Sequence, residues 1–351
     1  MTLATRTLAG LEISTVGFGA WAISGTGWKF AWGPQDDLES IAAIRHAVES
    51  GVNWIDTAPV YGLGHSEEVV GAALRALPEA DRPFVFTKAG LVWDDADPLA
   101  PPRKILDPKS VRRELEDSLR RLGVERIDLY QAHWPGDGLP LDFETPPGAP
   151  SPDAVPLAEY WATFAELRQE GKVGAIALSN HGADRLAEAD TIAHVDAIQP
   201  QFSLLSRGAA PDLAWAARNG SGAIVYQPMH SGLLSGEFSA DRVATLPDTD
   251  WRRTAPDFTT GLERNLSVAR ALGPVAERHG VPVAAVAVAW TLAWEGVTGA
   301  IVGARRPEQV DGWLPAASLE LTGEDLDEIA AALTRTGAGE GPVHPRDQRQ
   351  P

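Results

Sequence analysis

Four side chains able to do proton chemistry stand at, or just beyond, the ends of apolar runs. Asp56 closes VNWID, Lys88 closes FVFTK, His133 closes LYQAH, and Tyr61 follows Asp56 by five residues. Singly, each has an ordinary explanation: an Asp after a strand caps a helix or forms a turn, and a strand-end Lys snorkels to solvent. Together they can move a proton. A phenol, with its ordinary pKa of about 10, is a poor donor at neutral pH. A nearby ammonium favours the phenolate and brings that value down, while a carboxylate keeps a partly buried lysine charged. Asp56–Lys88–Tyr61 therefore reads as a tuned general acid, with His133 placed to orient a substrate oxygen or share in the transfer. The chain has no Cys and no cluster with metal-ligand spacing, so no metal site is expected. The electrophile that suits such an acid is a carbonyl, protonated on oxygen as hydride reaches carbon. No side chain supplies hydride, so a cofactor must.

Those residues need elements to carry them. Apolar runs at 15–21, 52–56, 84–88, 126–133, 172–179, 194–201, 223–228 and 298–303 alternate with segments of helical period at 37–50, 66–77, 109–122, 157–170, 183–189, 209–219, 264–279 and 307–313. Continuous apolar runs are what parallel strands buried on both faces require. Eight strand–helix units predict an α/β chain closed into a (β/α)8 TIM barrel with long loops on its C-terminal face, where barrel active sites are built. Those loops are 91–108, 134–156 and 229–262. Leu38, Ile41, Ile44 and Val48 form the expected inner stripe of the first helix, and 282–295 an extra helix outside the barrel. Residues 1–336 make one domain; 337–351, rich in Gly, Pro and charge, read as a disordered tail.

The bulk properties narrow the partners. With 48 acidic and 30 basic residues the net charge is −18, a surface that repels nucleic acid and anionic membranes. No apolar run approaches the roughly 20 residues of a membrane span, and no signal-peptide pattern opens the chain; a cytoplasmic location is expected. GFGAWA and GLGHSE lack the third glycine and the strand–turn–helix setting of a dinucleotide fingerprint.

The runs WIDTAPVYGLGHSEEVVG, FTKAG, AHWP, GKVGAIALSN, QPQFSLL, IVYQPM with GLLSG, and VGARRPEQV resemble the aldo-keto reductases, in the family's order, from about Thr7 to Glu328. The resemblance implies that Asp56, Tyr61, Lys88 and His133 are the catalytic tetrad, with Tyr61 as acid/base and hydride coming from nicotinamide C4. It implies that Ser179, Asn180 and Gln201 hold the carboxamide, with Tyr226 stacked on the ring and Trp21 and Asp56 nearby. Gln227, Met229, Gly232 and Leu234 would cover the pyrophosphate, and Gly303, Arg305 and Gln309 would sit near the adenosine 2′-phosphate. Two departures fall at this far end. Glu237 stands where many relatives carry a phosphate-contacting Lys, and Gly312 and Trp313 replace Glu and Asn near the adenine. Arg305 and Arg306 can still pair with a 2′-phosphate, so NADP(H) is preferred, with NAD(H) possible.

Tryptophan is abundant, and Trp21, Trp28, Trp32, Trp93 and Trp134 fall on loops of the functional face. With Tyr61 and His133 they would line a pocket for a small-molecule carbonyl or alcohol with apolar or flat surface. The expected activity is reduction of an aldehyde or ketone, or its reverse, including a sugar-modifying reductase as a variant. The alternative is a cofactor-binding regulatory or scaffold subunit with little turnover. The oligomeric state is not legible.

Overall fold

The computed structural model describes residues 3–142, 149–248 and 250–349. A hairpin of β1 (Thr5–Leu8) and β2 (Leu11–Ser14) precedes the barrel. Then follow β3 (Val16–Gly19), α1 (Asp37–Glu49), β4 (Trp54–Asp56), α2 (His65–Ala76) and β5 (Phe84–Ala89). A small hairpin, β6 (Leu91–Val92) with β7 (Arg103–Lys104), leads to α3 (Pro108–Leu122), β8 (Ile127–Ala132), α4 (Leu157–Gln169) and β9 (Val173–Ser179). Next come α5 (Ala183–Asp190), β10 (Ala197–Gln199), α6 (Ala210–Asn219), β11 (Gly222–Tyr226) and α7 (Ala240–Ala244). The chain continues through α8 (Leu262–Ala271), α9 (Gly273–His279), α10 (Val283–Leu292), β12 (Val297–Gly303), α11 (Pro307–Trp313) and α12 (Gly323–Thr336). Eight parallel strands close on themselves in the order β3-β4-β5-β8-β9-β10-β11-β12, the predicted (β/α)8 barrel. Among the described residues no helix is long and apolar enough to cross a membrane.

The period of two along each strand builds the interior in tiers. Trp54, Phe86, Leu129, Ala177, Ala197, Ile224 and Ile301 form an apolar tier, closed below by Leu8 and Ile13 of the N-terminal hairpin. Two residues further along the same strands stand Asp56, Lys88, Gln131, Ser179, Gln199, Tyr226 and Gly303. The polar tier therefore faces the C-terminal mouth, seated on a dry floor.

Some expectations fail for identifiable reasons. In α1 the buried face is Ser40, Ala43, Ile44 and Ala47, while Leu38 is 77% exposed. Small residues let α1 pack between α2 and α11, and Leu38 lies in the first turn, beyond that contact. Helix α10 does pack outside the barrel, on β12, yet it is buried at every position from Ala284 to Leu292. A helix apolar all round has no face to give to water, so α8 and α9 take the outer position and α8 rests on α12. The tail expected to be disordered is packed over 338–348. Ala338 is buried, the Arg207 guanidinium donates to its carbonyl at 3.1 Å, and Gln348 Nε2 donates to the Glu295 carbonyl at 2.8 Å. These are specific backbone captures, which composition does not reveal.

One glycine is fixed by the apolar tier. A Cβ on Gly17 would lie 2.1 Å from the Trp54 ring, whose indole N–H donates to the Ser14 carbonyl at 2.7 Å and so cannot swing away freely. Gly17→Ala is expected to lower unfolding free energy by about 1–3 kcal/mol in urea titration; a loss under about 0.5 kcal/mol would show that the ring can yield.

Candidate active site

Lys88 is fully buried at the end of β5, and its Nζ donates to Asp56 Oδ1 at 2.5 Å and to the Thr57 carbonyl at 2.8 Å. The same ammonium lies 5.2 Å from the centre of the Tyr61 ring. His133 meets that ring edge-on, 5.7 Å between centroids. The four residues read from strand ends thus converge. Tyr61 and His133 line a cavity of about 1120 Å³, while Asp56 and Lys88 lie behind them.

Elements outside the tetrad hold it in place. Ser66 Oγ, at the start of α2, donates to the Ala20 carbonyl and shares a 2.9 Å hydrogen bond with Thr57 Oγ1. Glu67 accepts from Thr87 Oγ1 at 2.6 Å and from Arg121 at 2.7 Å. One helix N-terminus therefore ties down the neighbours of Trp21, Asp56 and Lys88.

Burial sets the protonation states. The Tyr61 phenol is held well above its ordinary value, first by burial and then by the Asp56 charge. This is opposite to the direction expected from a Lys–Tyr pair alone: burial disfavours the phenolate, and the Asp56 charge adds to it. Burial lowers Lys88, while Asp56 holds its proton on. His133 is pushed well below the usual histidine range by burial and then by Lys88, so its ring is neutral.

A second group of residues forms the opposite wall. Asn180, in the left-handed region at φ 61°, donates to the His133 carbonyl at 2.9 Å and accepts from the Tyr226 hydroxyl at 2.8 Å. Ser179 Oγ donates to the Gln199 carbonyl at 2.9 Å, and Gln201 Nε2 to Gln227 Oε1 at 2.8 Å. Beyond Tyr226 the backbone is unusual: Gln227, His230 and Ser231 all have φ near +50°, a conformation kept only where surroundings enforce it. His230 bridges Ser203 and Asp257, and Arg252 donates to the Ser231 carbonyl while pairing with Asp250. Amide and hydroxyl groups beside an aromatic ring, with a wall running away from them, suit a nicotinamide and its dinucleotide tail.

The predicted residues separate by position. Trp21, Trp28, Trp134, Ser179, Asn180, Gln201, Tyr226 and Gln227 line the cavity. Trp32 does not; its ring covers the Arg252 guanidinium at 4.4 Å. Trp93 also lies off the wall, its indole donating to Asp95. Met229, Gly232, Leu234, Gly303, Arg305 and Gln309 are outside the lining, and Leu234 is wholly buried. Arg305 is held by the Gln35 amide oxygen at 2.6 Å and by the Pro34 carbonyl, and Gln309 accepts from the Arg305 backbone N–H.

Sequence reasoning missed three groups. Trp251 lines the cavity and stacks parallel to Trp21 at 6.3 Å; nothing in a long loop marks which aromatic will fold back. Gln131 and Gln199 both donate to Asp56 Oδ2, at 2.9 and 2.8 Å. Their signal is in the sequence: each is an amide between apolar neighbours within a strand run, Gln131 between Tyr130 and Ala132 and Gln199 between Ile198 and Pro200.

Comparison with known proteins gives the family. Residues 15–334 match the Aldo/keto reductase family. The chain is 33% identical over 330 residues to the aldo-keto reductase YhdN of Bacillus subtilis, covering 93% of this chain and 92% of that one. It is also 33% identical over 338 residues to the NADH-specific methylglyoxal reductase of Escherichia coli, covering 93% and 97%. Among solved structures, the glycerol dehydrogenase AKR11B4 from Gluconobacter oxydans aligns with a TM-score of 0.82 at 35% identity, covering 97% of this chain and 98% of that one. The chain belongs to the aldo/keto reductase family of (β/α)8-barrel oxidoreductases.

Proposed function

We propose that this protein reduces an aldehyde or ketone to an alcohol, or runs the reverse, with Tyr61 as general acid. The observation that carries the reading is the buried Asp56–Lys88 pair under a phenol that faces the cavity. A bound dihydronicotinamide supplies the hydride. Tyr61 donates its hydroxyl proton to the carbonyl oxygen, and the Lys88 ammonium, fixed by Asp56, balances the phenolate left behind. His133, neutral, offers a ring nitrogen to the same oxygen without adding charge. Ser179, Asn180, Gln199 and Gln201 would hold the carboxamide, Tyr226 would carry the ring, and Gln227 and the segment after it would follow the phosphates. Trp21, Trp28, Trp134 and Trp251 supply the apolar wall for the rest of the substrate.

NADP(H) is the preferred dinucleotide in this reading, with NAD(H) accepted. Arg252 and Arg305 are near enough to feel each other's charge, and of the two only Arg252 has a carboxylate in direct contact. Arg252 is neutralised by Asp250, whereas the direct partners of Arg305 are an amide oxygen and a backbone carbonyl. Its positive charge, offset only at longer range by Asp250 and Glu39, is available to meet a 2′-phosphate. The relative named NADH-specific shows that a protein of similar sequence can use the other cofactor.

Tyr61→Phe is expected to cut kcat for methylglyoxal reduction by about 10²–10⁴-fold with cofactor affinity retained; a loss under about fivefold would remove Tyr61 from the mechanism. The raised phenol also fixes a pH dependence. The donating form requires the proton, and a value well above the ordinary one keeps it there, so Tyr61 does not limit reduction below about pH 10. A descending limb centred near neutrality in Tyr61-dependent turnover would contradict this. Arg305→Ala should weaken NADPH binding by about tenfold or more in fluorescence titration and leave NADH within about twofold; equal losses would place the 2′-phosphate elsewhere.

A further inference from the structure

The carboxylate beneath the acid is gripped on both oxygens, and the second grip has no place in the mechanism above. Asp56 Oδ1 takes the Lys88 ammonium; Oδ2 takes two neutral amides, Gln131 Nε2 at 2.9 Å and Gln199 Nε2 at 2.8 Å. The amides are also chained to one another, Gln199 Nε2 donating to Gln131 Oε1 at 2.8 Å. An amide nitrogen carries two hydrogens, so Gln199 serves both acceptors at once. Gln131 is fully buried and outside the cavity lining, whereas Gln199 lines the cavity. Gln131 is also the register partner of Lys88 across β5 and β8, so one strand pairing sets the amide beside the carboxylate that the lysine holds.

We propose that Gln131 is a positioning residue: chained to Gln199, its amide fixes the second oxygen of Asp56 and thereby keeps the Lys88 ammonium charged and aimed at Tyr61. This rests on the reading of Tyr61 as the acid. The physical reason is the basicity of the carboxylate. Each N–H donated to Asp56 stabilises its anion. With Gln131 gone, one of two donors on Oδ2 is lost in a dry site, and Asp56 competes more strongly for the proton it shares with Lys88. Less positive charge then faces the phenol, and its ionisation becomes harder. The other charged or titratable groups facing this cluster are His133, Tyr226 and Glu67. His133 is neutral, the Tyr226 hydroxyl is bound to Asn180, and Glu67 is paired with Arg121. None of them can replace the lost amide.

Gln131→Met, near in volume and without a donor, tests this in both reaction directions. The expected result is a kcat for methylglyoxal reduction lower by about tenfold, with KM for the dinucleotide within about twofold. In alcohol oxidation, where Tyr61 acts as base, the rising limb should move to higher pH by about one unit. A profile superimposable on the unaltered protein, with native circular dichroism, overturns the proposal. Where Gln131→Met lowers the folded fraction, Gln131→Glu keeps size and shape and answers the same question. A second carboxyl beside Asp56 donates while protonated and repels once ionised, so its activity relative to the unaltered protein should fall as pH rises. A ratio constant with pH overturns the role of the amide. Tyr61→Phe separates the two levels. If that variant stays active, the acid assignment and this proposal both fail; if it is dead while both Gln131 variants behave normally, only the positioning role fails.

Discussion

Removing a lysine ammonium from water costs several kcal/mol even after the protein relaxes around it. Lys88 has no exposed surface at all, and the architecture of the mouth follows from meeting that cost. Asp56 supplies the counter-charge and the Thr57 carbonyl a second acceptor. The carboxylate, itself buried, then needs donors for its free oxygen, which Gln131 and Gln199 provide. A buried polar network is stabilising only when every member is satisfied. Here satisfaction runs across β4, β5, β8 and β10, so four strands must hold their register for one charge to survive inside.

The barrel makes this possible by dividing its interior. The tier below the charged one is aromatic and aliphatic, from Trp54 and Phe86 to Leu129 and Ile301, and the N-terminal hairpin closes it from beneath. Water is excluded from one side of the Asp56–Lys88 pair, which strengthens its electrostatics. The same dryness pushes Tyr61 up and His133 down. The phenol therefore keeps its proton at neutral pH, and in the proposed mechanism the buried ammonium would accommodate the phenolate formed once the proton leaves. Acidity in such a site belongs to the cluster, and no pairwise estimate between a lysine and a tyrosine captures it.

That point marks what the sequence made legible. Strand ends could be read because buried parallel strands are apolar runs, so Asp56, Lys88 and His133 broke a pattern. Gln131 and Gln199 broke the same pattern but sat inside the runs, where an amide reads as tolerated noise. The sign of the Tyr61 shift was illegible because it depends on how much of the ring is buried, a property of four loops at once. Loop position alone makes Trp32 and Trp93 pocket walls, yet one covers Arg252 and the other bonds Asp95. Loop position fixes the face of the barrel and leaves the direction of the side chain open. Helix α10 shows the converse: its apolar circumference is visible in the sequence, and its burial between β12 and the neighbouring helices follows once a helix with no polar face is denied water.

Net charge of −18 poses the remaining physical problem, because a dinucleotide is itself an anion. In the proposed reading it is met locally. Of the two guanidinium groups just beyond the cavity wall, Arg252 is spent on architecture: it pairs with Asp250, reaches the Ser231 carbonyl and lies against Trp32. That fixes the segment after β11, where strained backbone at Gln227, His230 and Ser231 would otherwise relax. Arg305 is held instead by neutral oxygens from the first loop, at Gln35 and Pro34. Neutral acceptors orient a guanidinium without cancelling its charge. A cation kept in place by oxygens it can exchange for a phosphate is a better anion receptor than one already paired with a carboxylate. The two arginines thus divide between shape and charge, and the division follows from the chemistry of their partners.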